Sequence, residues 1–215
     1  MKHLIILGAP GSGKGTQSKK LEEKYRFKLV STGDLLRAEV ASGSEVGNMC
    51  ADIMAQGRFP ENKIIYQLVE KFLSENAEAK GILYDGFPRT IEQAEFLLDI
   101  LKQRNETVNT IINVQVDKDA LIKRIVGRFS CADCGEIYNQ YYKVPKMEGT
   151  CDVCSSVSFK TRSDDTEDTV KTRLTIYEEA TAPVVDFFIN HKLNVVVVDG
   201  MRSVDNVFHQ IESVL

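Results

Sequence analysis

Gly8-Ala9-Pro10-Gly11-Ser12-Gly13-Lys14-Gly15-Thr16 places four glycines, a lysine and two hydroxyls in one short stretch. That composition suits phosphate binding. Glycines let successive backbone N–H groups turn inward around an anion without side-chain clash. A helix start adds partial positive charge, and Lys14 adds a full one. The apolar run Leu4-Ile5-Ile6-Leu7 precedes the stretch, and a helical pattern with Lys19, Lys20, Glu22, Glu23 and Lys24 on its exposed face follows it. Strand, glycine-rich turn and helix are the context that separates a phosphate loop from an ordinary tight turn. Gly11, Ser12, Gly13, Lys14, Gly15 and Thr16 are its candidate phosphate ligands. Gly15 stands between the lysine and the threonine, where the general pattern has Ser or Thr directly after the lysine.

Two further stretches carry charge at strand ends. Ser31-Thr32-Gly33-Asp34-Leu35-Leu36-Arg37 ends a second strand and opens a helix. Ser, Thr and Asp are good caps; capping does not account for Arg37, one turn in, which suits a bidentate phosphate contact. Leu83-Tyr84-Asp85-Gly86-Phe87-Pro88-Arg89 follows the next strand. Asp85 is placed to organise Mg²⁺, directly or through water. Arg89 lies at the same carboxyl end of the sheet, where ligands of such sheets collect. A Gly-Pro turn with solvated charges is the competing reading. Arg124 and Arg128 precede a cysteine-bearing segment, and Arg162 and Arg173 follow it, so a flap rooted there would bring guanidinium groups over bound phosphates. Arg26, Arg58, Arg104 and Arg202 read as solvated side chains. Asp164 and Asp165 suit a helix cap, a partner for the arginines, or a ribose contact. His3, His191 and His209 stand in no motif.

Cys131-Ala132-Asp133-Cys134 and Cys151-Asp152-Val153-Cys154 form a C-x2-C-x16-C-x2-C pattern, the spacing of a four-thiolate zinc site. Four thiolates close a tetrahedral shell, so the metal would be structural. Cys50 reads as a small apolar helix residue.

These groups need a scaffold. Short apolar runs at 3–7, 28–31, 81–84, 110–116 and 194–198 predict strands buried on both faces. Helical patterns cover 14–25, 34–42, 46–56, 61–75, 90–103, 118–127, 166–190 and 203–214, with Pro183 expected to bend the long one or break its ladder. The alternation predicts an α/β fold with a parallel sheet flanked by helices. Residues 32–60, helix after helix, and residues 129–161, polar and cysteine-bearing, read as insertions. With 215 residues, the chain suits one domain with insertions. A net charge of −4 argues against a broad nucleic-acid-binding face. The absence of a membrane-length apolar run or a signal-like start predicts a cytoplasmic protein.

In the order of these motifs the chain resembles the adenylate kinase family, in the bacterial long-lid form with a four-cysteine zinc site. Gly8–Thr16 with its inserted glycine, Ser31–Arg37, Asp85–Arg89, the cysteine quartet and Arg162-Ser163-Asp164-Asp165 carry the resemblance, which runs over essentially the whole chain. It implies a P-loop nucleoside triphosphate hydrolase-like core (1–30, 61–127 and 162–215), an AMP-binding flap (31–60) and a zinc-containing lid (128–161). Thr32, Arg37, Gly86, Arg89 and Gln93 would bind AMP, with Arg58 and Pro60 lining the pocket. Lys14, Arg124, Arg128, Arg162 and Arg173 would hold the phosphates, and Met201 would lie against the ATP base. The implied reaction is Mg²⁺-dependent transfer from ATP to AMP giving two ADP, by a monomer with no nucleic-acid or membrane partner. Departures from the usual family pattern stand at Pro60, Tyr84, Phe129 and Asn139. Alternatives are a kinase for UMP or CMP, a zinc-ribbon ATPase acting on nucleic acid, and a P-loop protein without turnover.

Overall fold

Each apolar run becomes a strand, and all five join one sheet. A computed structural model describes residues 1–163 and 165–215. In chain order the elements are β1 (Lys2–Leu7), α1 (Lys14–Tyr25), β2 (Lys28–Ser31), α2 (Thr32–Ser42), α3 (Glu45–Ala55), α4 (Asn62–Glu75), β3 (Gly81–Asp85), α5 (Ile91–Gln103), β4 (Thr110–Gln115) and α6 (Lys118–Val126). Three short strands follow, β5 (Arg128–Cys131), β6 (Ile137–Asn139) and β7 (Phe159–Lys160), none of which the sequence pattern predicts. The chain closes with α7 (Glu167–Ile176), a π-helical turn (Tyr177–Thr181), α8 (Ala182–Asn190), β8 (Val195–Asp199) and α9 (Val204–Glu212).

The parallel sheet has the order β2-β3-β1-β4-β8. Alternate residues of its strands feed opposite cores. Ile5, Leu7, Val30, Ile82, Tyr84 and Ile111 pack with α4, α5 and α8. Leu4, Ile6, Leu83, Ile112 and Val114 pack with Leu21 of α1 and with Val207, Phe208 and Ile211 of α9. Burial on both sides explains why these strands read as unbroken apolar runs. Cys50 is fully buried in the first core, as an apolar residue should be.

Helix starts follow their caps. Ser31 accepts a hydrogen bond from the Asp34 N–H at 3.3 Å, so α2 begins two residues earlier than its apolar pattern. Thr166 caps α7 through the Thr169 N–H at 3.3 Å, so the cap expected of Asp165 belongs to its neighbour; Asp164 lies outside the described residues. Pro183 has no N–H for the carbonyl four residues back, and the helix widens before it: the Ala182 N–H bonds to Tyr177 O, five residues away. The long helix is therefore three pieces.

His3 and Arg104 depart from expectation. His3 is wholly buried at the start of β1. Its Nδ1 lies 2.9 Å from the Tyr84 hydroxyl, and its Nε2 3.3 Å from Glu106. Arg104, expected in solvent, is only half exposed: it reaches Glu106 at 3.4 Å and donates to Leu73 O at 3.2 Å. The N-terminal ammonium lies 4.0 Å from the same carboxylate. Burial holds the His3 imidazole below its usual pKa, against the opposing pull of Glu106. The unfolded chain then binds a proton on His3 near pH 6.5 that the folded chain resists, so this term costs stability as pH falls below about 6.5. We expect His3→Gln to flatten the fall in melting temperature between pH 7.5 and 5.5, measured calorimetrically. An unchanged pH slope would mean that His3 does not set it.

Candidate active site

The strand register levels the carboxyl ends of the sheet. Asp85 pairs with Ile6 on one side and Ser31 on the other, and Leu7 pairs with Asn113. The loop after β1, the start of α2 and the turn after β3 therefore open on one rim. Backbone geometry dictates the glycines. Gly13 has φ 95° with open space where a Cβ would sit, so conformation alone requires glycine there. A Cβ on Gly8 would lie 2.5 Å from Val114 O. Lys14 Nζ bridges the loop, donating to Gly8 O at 2.7 Å and Ala9 O at 2.9 Å. Burial pushes its pKa down to about 8; Asp85 opposes this, while Arg89, Arg173 and Arg128 reinforce it. Burial likewise pushes the Asp85 carboxyl up, against Lys14 and Arg89. The loop passes directly over Asp85, whose Oδ2 lies 3.5 Å from where a Gly15 Cβ would be.

A second polar cluster shares that rim. Gly86 O accepts from Thr32 Oγ1 at 2.8 Å and from Arg89 Nε at 2.6 Å. Gln93 Oε1 accepts the Arg89 N–H at 2.8 Å, and its amide donates to Asn62 at 2.7 Å. Thr32, remote in sequence, thus joins Gly86, Arg89 and Gln93 in one network. Arg37 turns back to Asp34, its Nη2 2.6 Å from Oδ1. Pro60 is buried, whereas the Arg58 side chain is exposed. Phe59, which no motif singled out, lies under Arg89, with Cζ 3.9 Å from its ring centroid.

Three of the remaining arginines gather near these groups. Arg128 Nε donates to Asp165 Oδ2 at 2.8 Å, and Arg173 Nη1 lies 3.3 Å from Oδ1 of the same buried carboxylate. Asp165 thus holds two cations side by side, the partner role among those expected of it. Burial, with the charges of Arg128 and Arg37, pushes Arg162 down to about 10. Arg124 is set apart: it donates to Gly200 O at 3.0 Å, and its Cζ is 5.5 Å from the Tyr142 ring centroid. A cleft of about 790 Å³ runs from Ala9 past Leu121 to Met201 and Asp199, beside that guanidinium. Arg124 is therefore tied to the turn that carries Met201.

Residues 128–161 form a small sheet of order β6-β5-β7 that lies over the loop. Lys19 Nζ donates to Gly135 O, and Ile137 Cδ1 lies 3.8 Å from the Gly15 Cβ position. Two matching turns carry the cysteines. The Gly135 N–H returns to Cys131 O at 3.1 Å, and the Ser155 N–H to Cys151 O at 2.9 Å; Gly135 and Ser155 both have positive φ. The four sulfurs of Cys131, Cys134, Cys151 and Cys154 lie within 4.8 Å of one another, with no disulfide among them. A tetrahedral ion with sulfurs at about 2.3 Å needs them about 3.8 Å apart, so the quartet fits a closed thiolate site. The Tyr138 hydroxyl donates to Cys151 Sγ at 3.4 Å and accepts the Asp152 N–H at 2.7 Å.

The model of the family described as "Adenylate kinase" matches residues 6–193. Adenylate kinase of Sphingopyxis alaskensis is 43% identical over 213 residues, 99% of this chain and 97% of that protein. That of Thermodesulfovibrio yellowstonii is 42% identical over 212 residues, covering 99% of this chain and 98% of its own length. That of Archaeoglobus fulgidus is 38% identical over 213 residues, with 99% and 97% covered.

The sulfur cluster generates a test on stability. Cys134→Ser leaves three thiolates, so metal content should fall and the small sheet should loosen, seen as a lower melting temperature and faster proteolysis within 128–161. The parallel sheet should survive, since its cores contain no residue of that segment. A melting curve unmoved by both the substitution and a strong chelator would count against a metal at this position.

Proposed function

The chain belongs to the adenylate kinase family, and we propose that the phosphate loop and the Thr32–Arg89 cluster divide that family's two nucleotides between them. The enzyme is a nucleoside monophosphate kinase that catalyses ATP + AMP ⇌ 2 ADP. The observation that carries the division is the strand register that sets Asp85 level with Ile6 and Ser31, so that the phosphate loop and the Thr32–Gly86–Arg89 network open on one rim. Two anion sites on one rim suit two phosphate chains meeting end to end. In this reading Gly11–Thr16 hold the phosphates of MgATP, the donor substrate. Asp85 serves its Mg²⁺, and Arg124 and Met201 flank the base. Thr32, Arg37, Gly86, Arg89 and Gln93, with Arg58 and Pro60 at the flap, take AMP. Arg128, Arg162 and Arg173 cover the phosphoryl group in flight.

The nucleophile is an AMP phosphate oxygen, already ionised at neutral pH, so transfer needs no protein base and passes directly in line. The obstacle is repulsion between polyanions, about 4 kcal/mol for each pair of unit charges about 4 Å apart near a protein surface. Lys14 and the arginines offset that repulsion and stabilise charge on the moving group. The segment over the loop limits water, which would otherwise hydrolyse ATP. Its four thiolates would hold zinc, which supplies a structural cross-link with no open ligand position. The same reading makes 1–30, 61–127 and 162–215 the core, 31–60 the AMP flap and 128–161 the lid of a cytoplasmic monomer. No described helix is long and apolar enough to cross a membrane, and the net charge of −4 offers nucleic acid no broad basic face.

A coupled assay with MgATP and a panel of monophosphates should show AMP far ahead of UMP and CMP. Arg37→Ala should raise the AMP KM several-fold more than the ATP KM. Equal rises would deny that the pockets are separate.

Lys14 gives a pH test. Its free-state pKa of about 8 must rise when phosphate arrives, so MgATP binding takes up a proton near pH 8–9, and affinity falls as pH climbs through that range. Lys14→Met should abolish the uptake, read by calorimetry in buffers of different ionisation enthalpy, and lower kcat on the order of 10²–10³-fold. Proton uptake that persists in Lys14→Met would place the titrating group elsewhere.

A further inference from the structure

Tyr138 places a polar atom inside an aromatic cluster. Its side chain is fully buried, stacked with Phe129 at 5.6 Å between ring centroids and edged against Phe159 at 5.8 Å. A phenylalanine would fill the same space, so packing accounts for the ring and not for the hydroxyl. A buried hydroxyl is costly unless its proton and its lone pairs find partners. The Asp152 N–H, at 2.7 Å, occupies a lone pair. The proton then goes to Cys151 Sγ, at 3.4 Å. Both partners belong to the second cysteine turn, while Tyr138 stands on β6, which follows the first.

The two cysteine turns otherwise match. Backbone N–H groups of Asp133 and Cys134 face Cys131 Sγ, and those of Val153 and Cys154 face Cys151 Sγ. The Glu136 and Ser156 N–H groups serve Cys134 and Cys154 in the same way. The Tyr138 hydroxyl breaks the match, because it adds a side-chain donor to one sulfur, that of Cys151. Four thiolates outweigh the charge of a divalent ion, so donors to sulfur stabilise such a site and orient its ligands. We propose that Tyr138 is a positioning residue for the metal. Its hydroxyl holds Cys151 Sγ toward the centre of the quartet, ties the second turn to the aromatic cluster, and so slows loss of the ion. This rests on the reading of the quartet as a zinc site.

The test uses the full chain loaded with Zn²⁺ or Co²⁺. Tyr138→Phe keeps the ring and deletes the hydroxyl. Zinc affinity, read by competition with a chromophoric chelator, should fall on the order of tenfold, as for other groups that orient a metal ligand. In the Co²⁺ form the sulfur-to-cobalt charge-transfer band should move to longer wavelength, because a thiolate that loses a hydrogen bond gives up electron density more readily. Tyr141→Phe, which removes the hydroxyl of an exposed tyrosine in the same segment, should change neither reading. An unmoved band, or wild-type affinity in Tyr138→Phe, would overturn the proposal, since the hydroxyl would then serve only to hold the turn. Wild type supplies a second reading should the variant not fold. Loaded with a spin-active isotope of cadmium, its phenolic proton should couple to the metal across the O–H···S contact in NMR spectra. A slowly exchanging phenolic proton without that coupling would equally overturn the proposal. If wild type binds neither Zn²⁺ nor Co²⁺, the zinc reading fails first and the role of Tyr138 falls with it.

Discussion

Like charges must be held together before the anions that need them arrive. Arg89, Arg128 and Arg173 all lie within electrostatic range of Lys14, in a chain whose net charge is −4. Their mutual repulsion is offset by several means, and the means differ in what they leave available. Asp165, buried between Arg128 and Arg173, neutralises part of both. Asp85 attracts Lys14 from beneath the loop. The carbonyls of Gly8, Ala9 and Gly86 hold Lys14 and Arg89 as dipoles, without cancelling their charge. The cations are thus tethered in two ways, by carbonyl dipoles and by a buried carboxylate shared by Arg128 and Arg173.

Residues 128–161 face a different problem. The segment is too small to build a core of its own: Cys131, Tyr138 and Cys151 are its buried cluster, with Phe129 and Phe159 packed against them. Segments of this size need a staple. The two cysteine turns supply it by aiming four sulfurs at one point. A metal held by all four would cross-link the segment at that point.

Legibility in the sequence follows the range of each interaction. The phosphate loop is readable because its glycines answer a local backbone demand, as the 95° φ of Gly13 shows. The cysteine turns are readable because ligand spacing is itself local. The five strands are readable because burial on both faces leaves unbroken apolar runs. Sheet order, the short lid strands and the partner of each arginine depend on contacts between segments remote in sequence. Arg124 shows this well: its spacing from Arg128 suggested a shared role, yet the helix turns it toward Gly200, away from Asp165. His3, which sits in no motif, becomes a core residue because Tyr84, Glu106 and Arg104 converge on it. The π-helical turn lay between these cases, since Pro183 announced a break without specifying its form.

The positions that depart from the usual pattern of the family are not independent irregularities, because each has a local partner. Tyr84 fills the first core while its hydroxyl meets His3. Phe129 stacks with Tyr138, ring centroids 5.6 Å apart, and edges against Phe159 at 5.5 Å, where a basic side chain would be costly to bury. Asn139 donates to Arg124 O at 2.8 Å and accepts from the Tyr141 N–H at 2.8 Å, which fixes the turn that sets Tyr142 beside Arg124. Pro60 is buried directly after Phe59. Two of the departures therefore sit in packing, in the sheet and in the lid, while the other two flank side chains that face the arginines. Lys14, Arg37, Arg89, Arg128, Arg162 and Arg173 stand at the positions that the motifs single out, and several have local partners of their own: Asp34 beside Arg37, and Asp165 between Arg128 and Arg173.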